Sequence, residues 1–118
     1  MESRTNLLSA GDRHVGTYAT VDQLGSTRSF AVTVRGRIDR TNVARLREAF
    51  RRAHLSGAAL VHVDLTDCDG LDPAAMSALL GLERRVCRSI GRDLLLSPSA
   101  AVQEVLSSMG LDDYFPEA

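Results

Sequence analysis

Between residues 29 and 35, Phe30, Val32 and Val34 alternate with Ala31, Thr33 and Arg35, a period of two that predicts a strand. A second β-rich run covers residues 17–23, and Leu24-Gly25-Ser26-Thr27 supplies a turn between the two, so this part reads as a hairpin. After Gly36-Arg37-Ile38-Asp39 the period changes. Val43, Leu46, Phe50 and Ala53 recur at three- and four-residue steps, while Arg45, Arg47, Glu48, Arg51 and Arg52 fill the other face. That pattern predicts a helix over residues 41–56, closed by Gly57. Residues 58–65 carry Leu60, Val61, Val63 and Leu65 with His62 intruding, and predict a central, parallel strand buried on both faces.

Asp72-Pro73 has the form of a helix start, an N-cap acid followed by proline at the first position, where its missing N–H costs nothing. Leu79, Leu82, Val86 and Ile90 mark the apolar stripe of that helix, and Gly91 its end. Residues 93–97 predict another apolar strand. Residues 98–109 predict a last helix carrying Val102, Val105, Leu106 and Met109, followed by Gly110 and a short tail to Phe115. The order is β-β-α-β-α-β-α. It predicts one α/β domain with a mixed sheet, an N-terminal hairpin, parallel central strands and helices packed on them. Residues 1–15 are polar without a period and read as a flexible tail, leaving residues 16–118 to the domain.

The chain has 118 residues, 44% hydrophobic and 25% charged, enough to bury about two thirds of its unfolded surface in one core. All 14 basic residues are arginine, which excludes a lysine nucleophile or a phosphate-binding P-loop lysine. The net charge of −1 argues against a nucleic-acid partner. It conceals an asymmetry. Residues 1–58 hold ten Arg against five acids, and residues 59–118 four Arg against ten acids, or +5 and −6. The halves either attract each other or divide the surface for a charged partner. No apolar run has the composition of a secretory signal or the length of a membrane span, which points to a cytoplasmic protein without membrane insertion.

In that reducing setting Cys68 and Cys87 are expected to be small core residues and not a disulfide. The helix between them carries Cys87 about 20 Å from its start, whereas bridged Cα atoms lie about 6 Å apart.

The densest polar cluster is Asp64, Asp67, Asp69 and Asp72, at the carboxyl end of the buried strand, where open α/β sheets bind ligands. A calcium loop does not fit, because Leu65 falls on the first ligand position and Met76 on the bidentate one. Asp67-Cys68-Asp69-Gly70 looks like the Asp-x-Asp of haloacid-dehalogenase-like phosphatases, but the lysine and further motifs of such enzymes are missing. A receiver-type phosphoacceptor fails for want of the same lysine. The plain reading makes Asp72 a helix cap and the other three solvated loop acids. His14 in the tail, His54 on the arginine-rich helix and His62 within a strand do not assemble a catalytic triad, and the two cysteines lack zinc spacing. No metal, no cofactor and no enzymatic activity are expected.

Taken together, these residues resemble the STAS domain of bacterial anti-sigma factor antagonists. Gly36-Arg37-Ile38-Asp39 is similar to that family's Gly-x-apolar-Asp turn, residues 61–72 to its central strand and loop, and Gly110-Leu111-Asp112 with Phe115 to its closing segment. The resemblance covers residues 17–115. It implies a binding module that sequesters an anti-sigma factor of histidine-kinase-like ATPase fold and so releases a sigma factor. It also implies docking through Asp39, Arg40, Asp69, Gly70, Asp72, Pro73, Ala74, Ala75, Met76 and Ser77.

In the family the partner switches the antagonist off by phosphorylating a serine just after the loop Asp. That position is Ala74 here, which has no hydroxyl, so the off-switch is expected to be missing. Ser77 and Thr66 are weaker candidates for a displaced acceptor. The free protein is expected to be a monomer. The alternative reading is a cytosolic STAS subunit of a lipid transporter or a signalling scaffold.

Overall fold

The computed structural model describes the backbone of residues 16–24 and 27–115, and side chains from Ser29 to Phe115. The expected tail over residues 1–15 and the tip of the hairpin turn lie outside the described residues. The elements are β1 (Gly16–Leu24), β2 (Thr27–Ile38), α1 (Val43–Leu55), β3 (Leu60–Leu71), α2 (Pro73–Cys87), β4 (Asp93–Pro98) and α3 (Ala100–Ser108). They form one four-stranded sheet in the order β1-β2-β3-β4. β1 and β2 pair antiparallel, from Gly16↔Arg35 to Leu24↔Thr27, and β2, β3 and β4 run parallel. The mixed sheet, its hairpin and its central parallel strands are as the periodicity predicts.

One face of the sheet forms the core. Phe30, Val61 and Leu94 stand in register across β2, β3 and β4, as do Val32, Val63 and Leu96, and all six are buried. Against them α1 buries Val43, Leu46, Ala49, Phe50 and Ala53, and α2 buries Ala75, Met76, Leu79, Leu82 and Val86. The alternate sheet positions, among them Ala31, Thr33, His62 and Leu95, are half-buried. β3 therefore alternates between a buried and a half-exposed face, which corrects the expectation of a strand buried on both.

β3 is also longer than its apolar run. It continues through the acidic segment to Leu71, because β2 is long enough to accompany it: Arg35↔Asp67, Gly36↔Cys68, Arg37↔Gly70 and Ile38↔Leu71 are paired, with two register shifts. Gly36 sits at one of those shifts with φ 75, a left-handed backbone that glycine adopts without a Cβ clash. Asp64, Asp67 and Asp69 are consequently strand residues and not loop residues.

The helices begin and end within a few residues of expectation, and the differences have local causes. Asp39 closes a turn that accepts Val43 N at 2.9 Å, so α1 starts two residues late. α2 stops at Cys87, which leaves Ile90 outside the stripe and fully exposed. α3 starts at Ala100 and not at residue 98, because Ser99 caps it: its Oγ accepts Val102 N at 3.1 Å and donates to Cys68 O at 2.7 Å, tying α3 to β3. Met109 follows α3 and is exposed. Among the described residues no helix is long and apolar enough to cross a membrane.

Candidate functional site: the N-terminal turn of α2 and its flanking grooves

Asp72 has extended dihedrals, φ −78 and ψ 173, and its Oδ1 accepts the amide of Ala75 at 2.9 Å. Pro73 occupies the first turn, so one of the donors a helix start leaves orphaned is satisfied and another is absent. Asp72 N also donates to Ile38 O at 3.0 Å, which holds the start of α2 beside the 39–41 turn. There Asp39 Oδ1 accepts both the hydroxyl and the amide of Thr41, while Asn42 Oδ1 accepts Asp39 N and Asn42 Nδ2 donates to Arg37 O. The hydrogen bonds from Thr41, with the positive charge of Arg37, hold the Asp39 carboxyl below the usual carboxylate range. Removing the α2 cap with Asp72→Ala is expected to cost about 1 kcal/mol, and a thermal melt should register a loss of roughly 4–8 °C.

The expected site residues separate by depth. Arg40, Asp69, Pro73 and Ser77 are exposed, and Asp39, Asp72 and Ala74 are half-buried. Gly70 is buried, with the Arg37 guanidinium lying over it, 3.4 Å from where a Cβ would stand. Ala75 and Met76 are 0% and 3% exposed and belong to the core. The helical turn that presents Ala74 and Ser77 outward turns Ala75 and Met76 inward, with Met76 also bordering a surface groove. Among the four clustered acids, Asp72 caps α2, Asp64 Oδ1 is taken by Thr66, and Asp67 lies 4.0 Å from Arg35.

Two depressions flank the α2 N-terminal turn, and neither is legible in the sequence. Between α2 and α3 lies an apolar one of about 310 Å³, lined by Leu71, Pro73, Met76, Leu80, Val105 and Met109. Between α1 and α2 lies one of about 590 Å³, with Arg47 and Arg51 on one wall and Arg84 and Arg85 on the other. Ser77 borders both, and Ala74 borders the second.

Residues 23–117 match the family model described as Mlab, STAS domain. The chain belongs to the STAS domain family. The fold agrees with solved structures of anti-sigma factor antagonists. The unphosphorylated form of SpoIIAA superposes with TM-score 0.63 at 22% identity, over 83% of this chain and 85% of that one. An anti-sigma factor antagonist from Mycobacterium paratuberculosis gives 0.66 at 19% identity, over 97% and 84%. The Bacillus cell fate determinant SpoIIAA in phosphorylated form gives 0.60 at 21%, over 83% and 88%. At these identities the likeness is one of fold. No curated protein matches the sequence.

Elsewhere in this STAS domain the reactive side chains are occupied or apart. Among the described residues no group of three His, Cys, Asp or Glu is placed to hold a metal ion. His62 Nε2 lies 2.8 Å from Ser97 Oγ, a cross-strand hydrogen bond on the half-exposed sheet face. Asp64, the register partner of Ser97, accepts at its Oδ1 from the amide and hydroxyl of Thr66.

Both cysteines are free thiols. Cys68 is buried as expected, but Cys87 is exposed at the end of α2, which corrects its reading as a core residue. Burial raises both thiol pKa values, and for Cys87 the Glu83 carboxylate, hydrogen-bonded to it, adds to the shift. A raised pKa lowers the thiolate fraction at a given pH. Iodoacetamide is therefore expected to modify Cys87 alone in the folded protein, at a rate still climbing at pH 9.0, and to reach Cys68 only in denaturant, as peptide mapping would show.

Proposed function

We propose that this STAS domain is an anti-sigma factor antagonist-like binding module. It sequesters an anti-sigma factor of histidine-kinase-like ATPase fold in the cytoplasm, and so releases a sigma factor without catalysing a reaction itself. The observation that carries this reading is the α2 N-terminal turn. Asp69, Pro73, Ala74 and Ser77 are held at the surface beside Asp39 and Arg40 by the Asp72–Ile38 hydrogen bond. The antagonist folds that superpose on the chain support it.

A phosphate at this turn would add about −1.5 to −2 charges to the docking face, and Ala74 cannot accept one. The surface therefore stays in the state that a phosphorylatable relative has before modification. The rival reading, a STAS subunit of a lipid transporter or a signalling scaffold, is kept by the family model, whose description names a Mlab-type domain and not an antagonist. Affinity capture from native extract, with mass-spectrometric identification, decides between them. A kinase-fold anti-sigma factor retained in stoichiometric amount supports the first reading, and a transporter ATPase in its place overturns it in favour of the second.

A further inference from the structure

The groove between α1 and α2 carries more charge than its surroundings explain. Arg47, Arg51, Arg84 and Arg85 stand along its two walls, and no carboxylate lines it. Among the described residues, Arg47, Arg84 and Arg85 form no ion pair, and Arg51 reaches Glu48 only at 3.6 Å with its side chain 65% exposed. Exposed pairs of that kind hold an arginine weakly. His54, on the same wall, has a buried Nδ1 without a hydrogen-bond partner. Such an atom is uncommon in a finished interior.

The floor is as informative as the walls. On α2 it consists of Ala74, Ser77, Ala78 and Gly81, four small residues in two pairs related by four-residue steps, 74/78 and 77/81, and at one end of the groove Leu55 is 62% exposed. From Ala74 to Arg85 is eleven residues, or about 16 Å of helix at 1.5 Å per residue. The α2 lining of the groove thus extends for about three turns, more than a compact anion would span, with Arg47 and Arg51 facing it from α1. A duplex or a membrane surface calls for a broad positive field, whereas the chain as a whole is −1 and its β3 end is acidic.

We propose that this groove is a second docking surface, which takes an acidic amphipathic helix of a protein partner about three turns long. A helix lying in the trough packs small or apolar side chains on Ala74, Ala78 and Gly81, and presents carboxylates to the arginines on both walls. The site shares Ala74 and Ser77 with the α2 N-terminal turn but does not depend on the antagonist reading, because its arginines would take such a helix whatever the identity of the partner.

The test uses the full chain, isotopically labelled, and a synthetic 14-residue capped helical peptide with glutamates along both flanks and an alanine-leucine face. A lysine-for-glutamate version, tripolyphosphate and anionic phospholipid vesicles serve as comparisons. The acidic peptide is expected to shift the amide resonances of residues 47–55 and 74–85, with an affinity that falls as salt is raised. Two variants follow. R47E/R84E/R85E changes exposed side chains only and is expected to weaken the peptide at least about tenfold. Gly81→Leu fills the floor with no change of net charge, in a helix that gains propensity, displacing the Arg85 guanidinium that lies 3.5 Å from the new Cβ, and is expected to weaken it similarly. Unchanged binding in either variant, shifts confined to other residues, or equal binding of the lysine version would overturn the proposal. So would tighter binding of tripolyphosphate or of the vesicles at these residues.

Discussion

Ala74→Asp is expected to lower the affinity for a kinase-fold anti-sigma partner at least about a hundredfold, equivalent to roughly 3 kcal/mol, while leaving the melting temperature within a few degrees. The fold tolerates the change because the side chain is half-buried in the first turn of α2, where the helix dipole favours a carboxylate by about 0.3 to 1 kcal/mol. The docked state does not tolerate it, since a charge enclosed unpaired in an interface costs several kcal/mol. Ala74→Ser is the matched control. It stays neutral and is expected to bind as the wild type does, while restoring the hydroxyl that a kinase-type partner with ATP could phosphorylate. Calorimetric titration of both variants, with a melt of each, checks the pair of outcomes. An Ala74→Asp protein that binds as tightly as the wild type would remove the α2 turn from the docking surface.

What the sequence discloses follows from which interactions are local. The hairpin and the three helices are readable because their apolar residues recur at periods of 2 and 3.6 within a single element. The acidic end of β3 is not, since Asp67 to Gly70 has no apolar alternation and is held as a strand by pairing with the far end of β2. Asp72-Pro73 discloses the start of α2, but its position alone does not say which way the first turn faces. The signal was nevertheless there: stepping back from Leu79 by three and four residues reaches Met76 and Ala75, both in the core. The arginine groove shows the limit of such reading. Arg47 and Arg51 look like an ordinary solvated face, and Arg84 and Arg85 like another, until α1 and α2 are laid side by side. The division of charge between the halves is then seen not to be self-neutralising throughout. Arg35 meets Asp67 across it, but Arg51 and Arg52 turn to Glu48 within their own helix, and among the described residues Arg47, Arg84 and Arg85 form no ion pair.

Leu79→Ala is expected to produce the converse of Ala74→Asp, a large loss of stability with docking intact. Leu79 is 0% exposed, in the stripe of α2 that faces the sheet, among the largest fully buried side chains of the core. Truncation removes its transfer energy and leaves a cavity that packed neighbours close only in part, so the cost is about 3 kcal/mol within a range of roughly 2–5. For a domain of this size that corresponds to a melting temperature lower by roughly 10–20 °C. Against a typical total stability of about 5–15 kcal/mol, the native state still dominates well below the transition. At that temperature Ala74, Pro73 and Ser77 are unchanged, and the Asp72 cap that positions them bonds to the backbone of Ala75 and not to Leu79. Partner affinity at low temperature is therefore expected to stay within about threefold of wild type, less than 1 kcal/mol. A hundredfold loss in folded Leu79→Ala would instead mean that docking reads the packing of the whole helix, and that the outcome for Ala74→Asp cannot be assigned to its charge alone.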